Sequence, residues 1–355
     1  MRSVSVTDLK PGMILARTIV NDDLIVVLAE NTELTPSHIK RLTTLDVPFI
    51  YIKDEYELSS NFLSVAALFN PADAFVSEYK EVVNTAKGLI DTLTKGGDEQ
   101  SVYETKCLVH ENLYPLAHDS GVIDHIFEIN HLASDVYNHS LRVAILSGVI
   151  GKWMEFKPAE VQDIILAGFL HDIGKSKLPP ELGTIRGSAV PEEQLDEYMS
   201  HTMEASKILR ACPNLPAGVV ETAMQHHECM DGSGYPLGLK GERIHRYARI
   251  VALADFYDNL TTEVEGERRI TPFAAIEEIA KLMYSKLDPN VCIPFITKIK
   301  MAFLGSRVLL SNGMIGTVVR YANGIDAQPL IRINEATIID LNEYRNLSVI
   351  EYNPK

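Results

Sequence analysis

The sequence is short of cations, cysteine and tryptophan. Lysine and arginine total 33 against 48 aspartates and glutamates, a formal net charge of −15. A surface that coats nucleic acid needs the opposite sign, so no DNA partner is expected. A small phosphate ligand stays open, because bound cations reverse the field locally. The four cysteines (Cys107, Cys212, Cys229, Cys292) share no repeated spacing and form no CxxC, which leaves out a zinc ribbon and a thioredoxin-type motif. Free thiols in a reducing cytoplasm are the simplest reading, and a cytoplasmic protein is the expectation. No run of roughly 18 or more apolar residues occurs. The start, MRSVSVTDLKPGM, has no apolar signal region, so no membrane segment is expected.

What is present is an ordinary globular mixture, 46% apolar and 23% charged over 355 residues. That length predicts two or three domains. Residues 1–58 read as a small mixed α/β module. Its short β-rich runs fall at Met13 to Val20, Leu24 to Leu28 and Phe49 to Ile52, with a helix over Ser37 to Leu45 entered through Thr35 and Pro36. Residues 59–129 read as a helical linker region, with Ala72 to Leu93 amphipathic and ended by Gly96-Gly97. Further helices fit Pro158 to Leu170, Pro191 to Leu209, Ala217 to His226, Ile244 to Asn259 and Thr271 to Leu287. These belong to a domain over 130–303. From 304 to 355 the character is β, with strands at Arg307 to Leu310, Ile315 to Tyr321, Leu330 to Ile333 and Thr337 to Asp340. Asn312-Gly313 and Asn323-Gly324 are turn signals.

Five of the eleven histidines have suggestive neighbours. His171-Asp172 ends the apolar run Ile164 to Leu170 and is followed by Gly174 and Lys175. His226-His227 precedes Glu228 and the run Asp231-Gly232-Ser233-Gly234-Tyr235-Pro236. His139 starts a helix, His201 lies in another, and Asp255 interrupts the apolar face of Ile250, Val251, Leu253 and Ala254. A lone helical histidine is ordinarily a surface or core residue. An aspartate in an apolar stretch says more, because a buried charge is costly unless paired or bound to a metal. Imidazole with carboxylate suits iron, manganese, zinc or nickel, and helix-bundle interiors are a usual place for such sites.

The ordered set NHSLRVAILSG (138–148), HDIGKSKLP (171–179), His201 in SHTMEASKIL, HHECMDGSGYPLGLKGERI (226–244) and ARIVALADFYDNLT (248–261) resembles the HD-GYP family. That family is the bacterial branch of the HD phosphohydrolases that degrades cyclic dinucleotides. The likeness spans roughly 130 to 290. LKPGM and LTPSHIKRL also resemble an N-terminal module often found ahead of HD-GYP domains. The implied fold is mainly α, an HD-type helical bundle flanked by the small α/β module and the small β appendage. The implied metal ligands are His139, His171, Asp172, His201, His226, His227 and Asp255, holding two divalent transition metals, with iron or manganese leading. Asp172 would bridge the pair and, with Lys175, carry catalysis. Lys175, Gly234, Tyr235, Pro236 and Asp258 would contact substrate.

Two departures from the family pattern stand out. Some members carry a glutamate one turn before the first histidine that recruits a third metal. Here it is Asp135, one methylene shorter and at i−4 from His139, which makes a third metal the alternative to two. After Asp255, members continue with cations that grip phosphate; Val264 and Glu267 stand there, with Arg268 and Arg269 next as candidate substitutes. The resemblance implies a phosphodiesterase in which a metal-bridging hydroxide opens cyclic di-GMP to pGpG and then GMP. The alternatives are hydrolysis of cyclic GMP-AMP, or a low-activity module that binds a cyclic dinucleotide or a GGDEF-type partner. A homodimer is left open.

Overall fold

The computed structural model of the chain describes residues 2–6, 9–15, 19–20, 26–29, 32–44, 49–52, 71–119, 121–129, 135–184, 189–262, 269–344 and 346–353. The chain divides into two compact units, one made of residues 1–70 with 300–355, the other of residues 71–299. No helix among the described residues is long and apolar enough to cross a membrane.

In the first unit, β1 (Arg2–Ser5) pairs antiparallel with a strand at Phe49–Ile52, and β2 (Ile19–Val20) with β3 (Val26–Leu28). Helix α1 (Pro36–Thr44) begins as its sequence predicts: Thr35 Oγ1 accepts from the His38 N–H at 3.3 Å, with proline at the first helical position. Leu15, Leu34, Leu42, Ile50 and Ile52 form the core of this part. The Phe49–Ile52 strand is β4. Near the chain end, β5 (Arg307–Leu310), β6 (Ile315–Tyr321), β7 (Pro329–Asn334), β8 (Thr337–Asp340) and β9 (Val349–Asn353) form one antiparallel sheet in the order β8-β7-β6-β5-β9. β9 is an addition to the expected strands. It closes the edge of β5, pairing Val308 with Tyr352.

The second unit is helical. It runs through α2 (Pro71–Thr94), α3 (Glu99–Leu108), α4 (Tyr114–His118), α5 (Val122–Ile129), α6 (Val136–Trp153), α7 (Pro158–Leu170), α8 (Pro180–Thr184), α9 (Leu195–Met199), α10 (His201–Ala211), α11 (Ala217–Gln225), α12 (Arg246–Thr261), α13 (Pro272–Leu282) and α14 (Pro289–Ala302). Leu141, Ile145, Ile164, Phe169, Ile250 and Leu253 are almost wholly buried, so α6, α7 and α12 form the centre of the bundle. The single helix expected over Pro191 to Leu209 is instead a 3-10 turn at Glu192–Gln194 followed by α9 and α10. The Ser200 hydroxyl at their junction donates to the Glu197 carbonyl at 2.6 Å. The helix expected to reach Leu287 stops at Leu282, whose carbonyl accepts from both Lys286 and Leu287 as the chain turns.

Candidate metal centre

The candidate ligands sit mostly at helix ends. His139 lies in the first turn of α6 and His201 opens α10. His171-Asp172 follows the last residue of α7, His226-His227 follows that of α11, and Asp255 projects from within α12. Their donor atoms gather into two groups, Asp172 with His201, His226 and His227, and His139 with His171 and Asp255, each within 4.8 Å. Asp172 faces both groups. Its Oδ1 lies 3.4 Å from His201 Nε2 and 3.6 Å from His226 Nε2. Its Oδ2 lies 3.3 Å from His171 Nε2 and 3.6 Å from His139 Nε2. Asp255 Oδ1 completes the second group, 3.1 Å from His139 Nε2.

The backbone orients three of the rings. Nδ1 of His171, His201 and His226 lies 2.7, 2.7 and 3.1 Å from the carbonyls of Gly168, Tyr198 and Ala223. A carbonyl only accepts, so Nδ1 carries a proton in each, which turns Nε2 toward the centre. Those three Nε2 atoms, His227 Nε2 and Asp172 Oδ1 are buried without a hydrogen-bond partner. A buried polar atom left in that state costs about 1–3 kcal/mol. Gathering several of them, all unprotonated donors of nitrogen or oxygen, fits divalent transition metals.

Two glycines allow the approach. At Gly174 a Cβ would run into the His201 carbonyl and the Ala205 amide, so glycine lets the segment after His171-Asp172 lie directly on α10. At Gly234 a Cβ would strike the backbone of residues 227–229. The turn therefore closes on His227, and the Tyr235 ring stacks on the His227 ring with centroids 4.8 Å apart.

The charges in the centre are balanced. Lys175 Nζ lies 2.6 Å from Asp172 Oδ2 and over the Tyr198 ring at 5.5 Å. Burial disfavours both charges, yet Lys175 and His171 hold the Asp172 carboxyl well below its usual range, and Asp172 raises the lysine in return. Burial also works against a charged His139, but Asp255 and Asp258 outweigh it and lift that ring to about 9. Burial pushes His201 down to about 3 and lowers His226 and His227 as well, so these rings are neutral, the form that ligates a metal.

Other expected site residues lie elsewhere. Asp258, expected at the substrate, is held inside the bundle. It is 2% exposed, and its Oδ2 accepts from His139 Nδ1 at 2.8 Å while Oδ1 accepts from Arg142 Nε at 2.7 Å. Asp135 is the N-cap of α6, accepting from the Asn138 N–H at 2.8 Å and from Asn138 Nδ2 at 2.9 Å. It lines a cavity beside Asp172 and Lys175 but is in neither donor group. A cap precedes its helix, so the carboxylate is turned back onto the first turn instead of along the face of His139. Arg269 lies over the Phe127 ring at 4.6 Å. Val264, Glu267 and Arg268 fall outside the described residues. Two further residues contribute that the sequence alone does not single out. Arg142 is a fully buried cation on Asp258, and Glu228 accepts from the amides of Leu237 and Leu239 at 2.7 and 2.8 Å, holding the Gly234-Tyr235-Pro236 loop. The short spacing between Asp255 and Asp258 on one helix was the available signal for the first.

Known proteins share this arrangement of sequence. Residues 127–291 match the HD domain family. A cyclic di-GMP phosphodiesterase of Pseudomonas aeruginosa is 31% identical over 183 residues, 52% of this chain and 44% of that protein. A cyclic di-GMP phosphodiesterase of Thermotoga maritima is 35% identical over 164 residues, 46% of this chain and 44% of that protein. The chain thus spans less than half the length of either relative. Among solved structures, an HDG"Y"P protein from Bdellovibrio bacteriovorus superposes with a TM-score of 0.56 at 17% identity, covering 84% of this chain and 99% of that one, a likeness of fold. With the HD pair, the paired histidines and the GYP turn all in place around one centre, residues 127–291 carry an HD domain similar in sequence to those of cyclic di-GMP phosphodiesterases.

Proposed function

We propose that this chain is a metal-dependent phosphodiesterase that opens cyclic di-GMP to pGpG, with slower cleavage to GMP. One observation carries the reading: Asp172 presents Oδ1 to one donor group and Oδ2 to the other. A carboxylate so placed suits a pair of cations, with iron or manganese the fitting choice for an imidazole and carboxylate set. When bound, such a pair neutralises the scissile phosphate and yields a hydroxide near neutral pH.

The chain's own residues supply the rest. His139, His171 and Asp255 would hold one cation, and His201, His226 and His227 would hold the other. Lys175, already over Asp172, offers its ammonium to a non-bridging phosphate oxygen. Tyr235, fixed on His227, borders the same centre. Residues 130–303 form the phosphohydrolase domain, 1–58 a regulatory module, 59–129 a helical linker and 304–355 a β appendage. The named activity of the two relatives supports the substrate.

A second reading draws on Val264 and Glu267, where the family carries cations. It is a module that binds a cyclic dinucleotide, or a GGDEF-type partner, without efficient turnover. Incubating anaerobically prepared, metal-loaded protein with cyclic di-GMP and separating the products distinguishes the two. pGpG above the metal-free control supports the enzyme, and intact substrate after prolonged incubation contradicts it. Cyclic GMP-AMP in a parallel reaction reads the alternative substrate.

A further inference from the structure

A cavity of about 280 Å³ opens beside Asp172 and Lys175, between α2, the start of α6 and the stretch that follows His171-Asp172. It is smaller than the roughly 300–1,000 Å³ of pockets that enclose a drug-sized ligand, so it fits one part of a cyclic dinucleotide and not the whole. Ile90, Val136, Tyr137 and Leu178 give it apolar and aromatic walls, Asp135 and Ser176 add a polar edge, and Asp172 and Lys175 join it to the charged centre. A phosphodiester held at Asp172 and Lys175 has a nucleoside on either side. The wall chemistry favours one portion: ribose and phosphate gain little from Ile90 and Leu178, whereas a purine gains from apolar and aromatic contact.

We propose that this cavity is the seat of one purine base of the substrate, and that Ile90 of α2 is a specificity-determining residue. The inference rests on the phosphodiesterase reading above and adds a subsite to it. Ile90 lies ahead of the matched span 127–291, so an element outside the HD domain shapes its pocket. α2 is tied to both sides of the opening. Tyr137 Oη donates to Asp91 Oδ1 at 3.2 Å, with Lys87 Nζ over the Tyr137 ring at 5.4 Å. Across the cavity, Lys177 Nζ donates to the Thr94 carbonyl at 3.1 Å. These ties set the width between Tyr137 and the segment carrying Lys175, and with it the thickness of the planar group that enters.

Two variants fill the cavity from different walls, Ile90→Trp from the buried side and Thr184→Trp from an exposed position on α8. Each is expected to lower kcat/KM for cyclic di-GMP about tenfold or more relative to that for bis(4-nitrophenyl) phosphate, mainly through KM. The same proteins titrated with GMP and with ribose 5-phosphate read the base without turnover. Wild type is expected to prefer GMP, and both variants to lose that preference. If the preference and the substrate ratio survive in folded Thr184→Trp, the cavity does not hold the base. If wild type binds GMP through this cavity yet never cleaves cyclic di-GMP, the phosphodiesterase reading fails while the subsite stands.

Discussion

Oδ2 of Asp258 lies 2.8 Å from Nδ1 of His139, and the other oxygen of that carboxylate lies 2.7 Å from Nε of Arg142. The carboxylate thus fixes the His139 ring with Nε2 turned to Asp255. Partners of this kind typically change metal affinity or activity about 10–100-fold. Asp258→Asn keeps the shape and removes the charge. It should weaken metal binding by that factor, read by competition with a chromophoric chelator. Asp258→Ala also takes a carboxylate from the buried Arg142 and should cost about 3–5 kcal/mol of stability, read by denaturant unfolding. Normal metal affinity in Asp258→Asn would place Asp258 outside the workings of the centre.

The helix that carries Asp255 and Asp258 has a pH-dependent start. His245 is the N-cap of α12, and its Nδ1 accepts from the Tyr247 N–H at 3.2 Å. Only a ring unprotonated at that nitrogen can accept. Burial lowers its pKa from 6.5, with Glu221 opposing. The folded state therefore binds the proton less readily than the unfolded chain. The cap's contribution is complete above 6.5 and is lost as the pH falls through the folded value. Thermal unfolding followed from about pH 7.5 to 5.5 should show wild type losing more stability than His245→Asn, which caps without titrating. Parallel curves for the two proteins would remove His245 as a source of the acid sensitivity.

Gly174 lets the segment after His171-Asp172 pack directly on α10. A methyl group there meets the His201 carbonyl and the Ala205 amide, both backbone, so neither can rotate away. Gly174→Ala should cost about 1–3 kcal/mol as overpacking. It should also part Asp172 from His201 and lower metal content in protein that remains folded. A fully loaded Gly174→Ala at wild-type stability would show that the two segments do not need this contact.

Much of this architecture is legible in local pattern. Helix α7 runs over Pro158–Leu170, as its apolar spacing predicts, and Thr35 with Pro36 marks the start of α1. The ligand types and their order carry the centre itself. What local pattern misses is long-range pairing. Arg142 looks like one more polar residue in the first half of α6, and Asp258, which it binds, is 116 residues away. Asp258 could face substrate or core until α6 is packed against α12. Asp135 precedes its helix by one residue, and its role as the N-cap follows from that register. β9 is a five-residue edge strand specified by its pairing with β5.

The most direct measurement is metal content. Wild-type chain and Asp172→Ala are purified without oxygen, loaded with iron or manganese, freed of excess and analysed for metal per chain. If Asp172 joins the two donor groups, wild type holds two divalent transition metals per chain, and Asp172→Ala, folded by circular dichroism, loses both together. Wild type that retains no transition metal, or Asp172→Ala that retains two, would contradict the account.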